Sequence, residues 1–220
     1  GLLQIQGKEY VVEERDTQAT RMNRGELYHS LPLYIDELTN AKGDELSDLA
    51  YQLSGGKQRN RMSGSSNVER VRGKPWSLLS VSTGNTSFVE RVSMVKDMPK
   101  AEAQRIMETR AVKKFSETAD KSETDKFANS IENVYGHAGL PYIQYIMANK
   151  EEVKALMQRV QLNIDREAGL TPENRFWSAG AASTLTGLII AKRLGLVNYD
   201  IKKLTKYVIQ LLKDNLAVVS

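Results

Sequence analysis

LPLYIDELTN (31–40) and LLSVSTGN (78–85) decide how this chain folds. The first is an apolar run that ends in the acidic pair Asp36-Glu37. The second is an apolar run that ends in the polar tip Thr83-Gly84-Asn85. Continuous apolar runs of this length are expected for strands covered on both faces, as in parallel sheets. In such sheets ligands gather at the carboxyl ends of the strands, where both runs deliver their polar groups. The expected class is therefore α/β, with two buried parallel strands at residues 31–36 and 76–82.

Working outward, the periodicity changes along the chain. Residues 1–14 alternate apolar and polar side chains and read as a short hairpin or strand. Helices are expected over 16–30, with Asp16 or Thr17 as N-cap, and over 42–53, where Leu46, Leu49, Ala50 and Leu53 form one stripe. Residues 54–74 carry no apolar period and read as an exposed loop or β-hairpin arm. Further helices are expected over 86–95 and 102–110, then a short strand over 111–115. The segment SETADKSETDK (116–126) is polar and reads as a linker or surface turn. Everything beyond it reads as helix: 127–135 closed by Gly136, 139–148, 150–168 closed by Gly169, 172–194 closed by Gly195, and 200–216 opened by Asp200. Two halves are thus expected, residues 1–115 with α/β patterning and residues 116–220 all-helical.

Composition narrows the chemistry. The 220 residues hold 40% apolar and 26% charged side chains, ordinary for a globular chain. There is no Cys, which removes disulfide frameworks, thiolate catalysis and Cys-based metal sites. Only two His occur, His29 and His137, too few for a multi-His metal site and read as ordinary turn or surface residues. No run reaches the roughly 18 apolar residues of a membrane span, and no signal-peptide pattern opens the chain, so a cytoplasmic protein is expected. The net charge of +4 is mild, but its distribution is uneven. Between residues 57 and 74 stand Lys57, Arg59, Arg61, Arg70, Arg72 and Lys74 against the single acid Glu69. Such a run suits the phosphates of nucleic acid, single-stranded DNA first among them. A solvated basic loop has the same composition, and with few aromatics between the cations no base stacking is indicated.

Each polar group at the strand ends has a role in a nucleotide site. Asp36 suits Mg²⁺ and Glu37 suits the orientation of an attacking water. The same pair also suits the first turn of a helix, where acids complement the dipole. Thr83 and Asn85 suit a γ-phosphate sensor, and equally an ordinary Thr-Gly-Asn turn. Arg110 is read as an arginine finger, with Arg91 and Arg105 as rivals, and Arg175 as a second sensor touching the nucleotide. A lone Arg is also the usual partner of a surface ion pair. One part is missing: no GxxxxGK[ST] phosphate loop occurs, and Gly55-Gly56-Lys57 is followed by Gln58, downstream of the acidic strand.

The ordered set LPLYIDELTN, DLAYQLSGGKQRNRM, WSLLSVSTGN and ENVYGHAG resembles a domain-of-unknown-function family of P-loop ATPases. That family occurs in phage and mobile-element proteins related to replicative helicase-primases. The resemblance covers roughly residues 21–139. It implies a P-loop (AAA+/helicase-like) core continued by a helical lid, ATP and Mg²⁺ as cofactors of the full-length protein, and a homo-oligomer, possibly a hexameric ring. The function it implies is nucleic-acid translocation or unwinding in DNA replication. Two positions depart from the family pattern. The phosphate loop that precedes the acidic strand is absent, and the strand tip carries Asn85 where Glu is common, a residue similar to the sensor Asn of AAA+ ATPases. The expectation is a C-terminal piece of a longer ATPase, inactive on its own. The alternatives are a non-hydrolysing nucleic-acid-binding or assembly module, and a DNA-packaging or remodelling ATPase.

Overall fold

The computed structural model describes residues 11–12, 17–38, 41–58, 73–97, 100–110 and 121–219. Its contacts divide the chain into two units, with the boundary between Glu108 and Thr109. The first unit is α/β and the second is all-helical, so that most of the described residues are helical.

The first unit begins with β1 (Val11–Val12), which is followed by α1 (Gln18–Tyr28). Thr17 caps α1, its hydroxyl accepting the Thr20 backbone N–H at 3.3 Å. The chain then enters β2 (Leu33–Ile35), crosses over through α2 (Gly43–Gly55) and returns as β3 (Ser80–Ser82). The sheet order is β1-β2-β3, and both pairings are parallel. In register, Leu33 lies opposite Ser80 and Ile35 opposite Ser82.

β2 is the central strand, yet it is covered on one face only, where its continuous apolar run predicts cover on both. Leu33 and Ile35 are 0% and 2% exposed, while Tyr34 faces outward. β3 differs from the expected buried strand. Leu79 and Val81 are 52% and 42% exposed. The reason is position: among the described residues β3 pairs with β2 alone, so it is an edge.

The core beneath the sheet joins Met22 and Tyr28 of α1, Leu46 and Leu49 of α2, and Trp76. Trp76 is held at three points. Its indole N–H donates to the Leu53 carbonyl at 3.0 Å, its backbone N–H donates to the Gly56 carbonyl at 2.8 Å, and its ring lies against Gly25, where an added Cβ would meet it at 3.2 Å. Gly56 ends α2 in the left-handed conformation (φ 66°). The Gly55-Gly56-Lys57 run therefore serves a helix terminus.

α3 (Phe88–Ser93) and α4 (Lys100–Ala103) complete this unit. The helix expected over 102–110 is cut to a single turn, and the reason is tertiary. Glu102 is drawn inward to bond Ser47 of α2, and Glu108 reaches back to α3. There it accepts the Ser87 hydroxyl at 2.8 Å and the Phe88 N–H at 2.5 Å. Those bonds override a weak local helical preference.

The second unit contains α5 (Lys121–Asn133), α6 (Gly139–Ala148), α7 (Lys150–Ala168), α8 (Arg175–Arg193) and α9 (Ile201–Val219). α5 starts inside the segment expected to be a linker. Residues 121–126 are helical there, in line with the helix-forming Lys and Glu they contain. α7 and α8 are antiparallel: Gln161 donates to the Ser178 hydroxyl at 2.8 Å, and Arg193 at the end of α8 pairs with Glu152 at the start of α7. α9 packs on both, placing Leu212 beside Ile164, Trp177 and Leu185. The turn between α7 and α8 is self-contained. Gly169 leaves α7 at φ 72°, and the Asn174 carboxamide oxygen accepts both the N–H and the hydroxyl of Thr171.

Candidate functional site

β2 and β3 end side by side because they pair in parallel and in register. Thr83 then ties the two ends together. Its hydroxyl donates to Asp36 Oδ1 at 2.8 Å and accepts the Glu37 backbone N–H at 3.1 Å. Its own N–H donates to the Ile35 carbonyl at 3.2 Å, and its carbonyl accepts the Leu38 N–H at 2.9 Å. Four bonds on one residue hold the turn that follows β2.

That turn is unusual. Glu37 sits at φ 52°, a region that non-glycine residues occupy at a cost and keep only where their surroundings impose it. The choice between a strand-end pair and a helix-start pair is thereby decided. α2 begins only at Gly43, and its own first-turn acids are Asp44 and Glu45. Asp36 and Glu37 belong to the strand end and both are exposed.

Asn85 is exposed at the tip after β3, on the same edge of the sheet as Asp36 and Thr83. Thr83, Asp36 and Glu37 are therefore brought together, with Asn85 two residues beyond. Lys57 and Lys74 are exposed on either side of the basic segment. Arg59, Arg61, Arg70 and Arg72 lie outside the described residues, as does the strand expected over 111–115.

Arg110 and Arg175 belong to the second unit. Arg110 is exposed and follows a non-helical stretch. Arg175 is the first residue of α8 and lays its guanidinium 4.8 Å from the centroid of the Phe176 ring. Beside it Trp177 is 2% exposed and is core. Arg105, one of the two rivals to Arg110, is spent locally: it lies 4.3 Å from the Tyr51 ring centroid and donates to the Ser54 hydroxyl at 3.1 Å.

The donor set fits Mg²⁺ of the kind that is held mainly by substrate. Such an ion takes one or two carboxylates and fills its remaining positions with waters and phosphate oxygens. Asp36 supplies an exposed carboxylate whose second oxygen is not the one bound by Thr83. Among the described residues no group of three or more His, Cys, Asp or Glu is arranged to hold a metal by protein alone.

One polar cluster escaped the sequence reading. Glu102, 3% exposed, accepts the Ser47 hydroxyl at 2.7 Å and the Lys96 ammonium at 2.5 Å. Lys96 also donates to the Ser47 hydroxyl at 2.7 Å and lies over the Tyr51 ring. Burial pushes the Glu102 carboxyl up, but the bonds from Lys96 and Ser47 outweigh it and hold its pKa below the usual value. The bond to Glu102 correspondingly raises Lys96. This cluster fastens α4 and the turn after α3 to α2. The only local signal is Ser47, next to the apolar stripe of α2.

No family model matches this chain, and neither a curated protein nor a solved structure matches it. Among the described residues no helix is long and apolar enough to cross a membrane.

Proposed function

We propose that this chain carries the acidic strand, the sensor strand and the helical lid of a P-loop ATPase that moves or unwinds nucleic acid, of the phage replicative helicase type. The observation that carries the reading is the Thr83–Asp36 bond. It sets the acidic end of one parallel strand against the polar tip of the next, at the edge of the sheet where α/β proteins bind ligands. The positive φ of Glu37 adds to it, because imposed backbone strain concentrates at functional sites.

In this reading Asp36 holds Mg²⁺, with Thr83 fixing the carboxylate through its hydroxyl. Mg²⁺ held there would supply charge neutralisation for the phosphates of ATP. Glu37 accepts a hydrogen bond from the attacking water and orients it. Asn85 donates its carboxamide N–H to the γ-phosphate or to that water. Arg110 and Arg175 answer the developing negative charge, as finger and second sensor. No phosphate loop occurs in these residues, so in this reading the cradle is supplied from elsewhere in the assembly. β3 has a free edge among the described residues, and its outward backbone groups can pair a further parallel strand. The basic segment with Lys57, Arg59, Arg61, Arg70, Arg72 and Lys74 contacts single-stranded DNA through its phosphates. The parent is a homo-oligomer, a ring in the simplest arrangement, working in the cytoplasm.

The test is Glu37→Gln in the full-length protein. ATP binding should stay near its original strength, while turnover falls at least about 10²-fold, the usual worth of a water-orienting or general-base group. Unchanged turnover overturns the assignment. The 220-residue chain alone should hydrolyse no ATP. A chain that binds DNA in an assembly with no ATPase anywhere in it would be the non-hydrolysing module instead.

A further inference from the structure

We propose that the exposed lysine face of α9, joined by Lys192 at the end of α8, is a second docking surface for single-stranded nucleic acid. Lys202, Lys203, Lys206 and Lys213 are all exposed. At 100° per residue, Lys202, Lys206 and Lys213 fall within about 40° of one another, on a line rising about 6 Å and then about 10 Å. Lys203 and Tyr207, four residues apart, form a second line about 60° to 140° round the helix from it. Lys192 is brought to the same end by its bond to the Tyr199 carbonyl at 2.6 Å. Arg193 beside it is taken up by Glu152.

The acids nearby keep their charge, and Asp200 already attracts Lys192 and Lys203, which leaves Lys202, Lys206 and Lys213 to carry the surface. Asp200 accepts the Lys203 backbone N–H at 3.1 Å and so closes the end of the helix. Asp214 accepts the Gln210 carboxamide at 2.8 Å. The ligand therefore lies along the flank of α9, not at its terminus. Lys203 is answered by Asp200, but Lys202 in the same first turn opposes the helix dipole, so local helix stability does not explain it.

The partner's chemistry follows from the aromatics beside the cations. Tyr199 and Tyr207 are 53% and 56% exposed. Flat aromatic faces amid lysines suit bases stacked beside a phosphate backbone. An anionic bilayer is a poorer fit. The apolar side of α9 is spent, with Leu212 fully buried and Val208 and Leu216 packed on the core, and Val218 is the one large aliphatic of the helix left exposed. This surface is separate from residues 57–74, and the proposal does not depend on ATP hydrolysis.

The experiment uses the whole 220-residue chain and a fluorescent oligo-dT, with binding followed by anisotropy across a salt titration. It is run with Lys57, Arg59, Arg61, Arg70, Arg72 and Lys74 all replaced by Ala, so that what remains is not owed to the basic segment. Adding Lys202→Ala, Lys206→Ala and Lys213→Ala should weaken binding about tenfold or more. It should also flatten log K against log salt by about 2, three contacts at about 0.7 each. Tyr207→Ala should cost about tenfold, and Tyr207→Phe should restore binding, since the ring stacks and the hydroxyl that meets Thr109 does not. No binding in the background without the basic segment, or an unchanged slope on removing the α9 lysines, overturns the proposal. Lysine-dependent binding to phosphatidylserine vesicles without binding to oligo-dT overturns it in favour of a membrane surface.

Discussion

The two units solve the problem of order in opposite ways. In the helical unit Ile164, Leu185 and Leu212 are sealed between α7, α8 and α9, each burial worth about 1.5–3 kcal/mol. Most of its hydrogen bonds run within a helix or across one short turn. In the α/β unit the strands are two or three residues long, and single residues tie distant segments together. Thr83 reaches Asp36, Glu102 reaches Ser47, and Trp76 reaches Leu53. The first pattern is stable but chemically plain on its inside. The second places polar groups at an exposed edge and holds them by a few specific bonds. Candidate chemistry sits where order depends on individual side chains.

The contrast breaks most sharply at Trp177. Trp177→Ala should remove about 3–5 kcal/mol from the helical unit, because a fully buried ring leaves a cavity that three packed helices close poorly. Hydrogen exchange should then show amides of α7, α8 and α9 losing protection while α1, α2 and β2 keep theirs. Equal loss in both units would mean that they unfold as one.

Acid should do the reverse and loosen the α/β unit first. The folded-state pKa of Glu102 is depressed, so its contribution is present above the ordinary value of 4.5 and is lost as pH falls through the lower folded value. Lys96 is raised, so its share persists to high pH and is lost only above 10.5. Glu102→Gln should cost about 1–3 kcal/mol at neutral pH and remove the acid-side dependence between α2 and α4. A melting profile in acid identical to that of the parent chain would show that Glu102 is not the group responsible.

Thr83→Val tests the strand-end lock on a smaller scale. It removes the bonds to Asp36 and Glu37 but keeps the backbone pair, and the site is exposed, so about 1 kcal/mol is expected. Faster exchange of the Glu37 and Leu38 amides should accompany it. No change at those amides would mean that the turn is held by the backbone alone. The smallest effect belongs to the Arg193–Glu152 pair, whose side chains are 44% and 53% exposed. Glu152→Ala should cost less than about 1 kcal/mol, and high salt should erase the difference.

What the sequence by itself determined is the set of features whose causes are local. The bounds of α6 and α7 fall where periodicity and capping place them, and Gly169 and Gly195 leave their helices at the positive φ that glycine permits. The acidic and polar strand ends are also legible, because an apolar run that stops at Asp36-Glu37 or at Thr83-Gly84-Asn85 announces its own terminus. Only the tertiary structure decided how those ends meet. Nothing near Thr83 in the chain says that its hydroxyl will bond Asp36, or that Glu37 will be bent to φ 52°. Nothing near residue 102 says that its carboxylate will be drawn under α2 and end a helix that periodicity would have continued. Capping and side-chain period are settled within a turn or two of chain. A bond across the sheet or between packed helices exists only once the fold has paid the entropy of closing the loop between its partners.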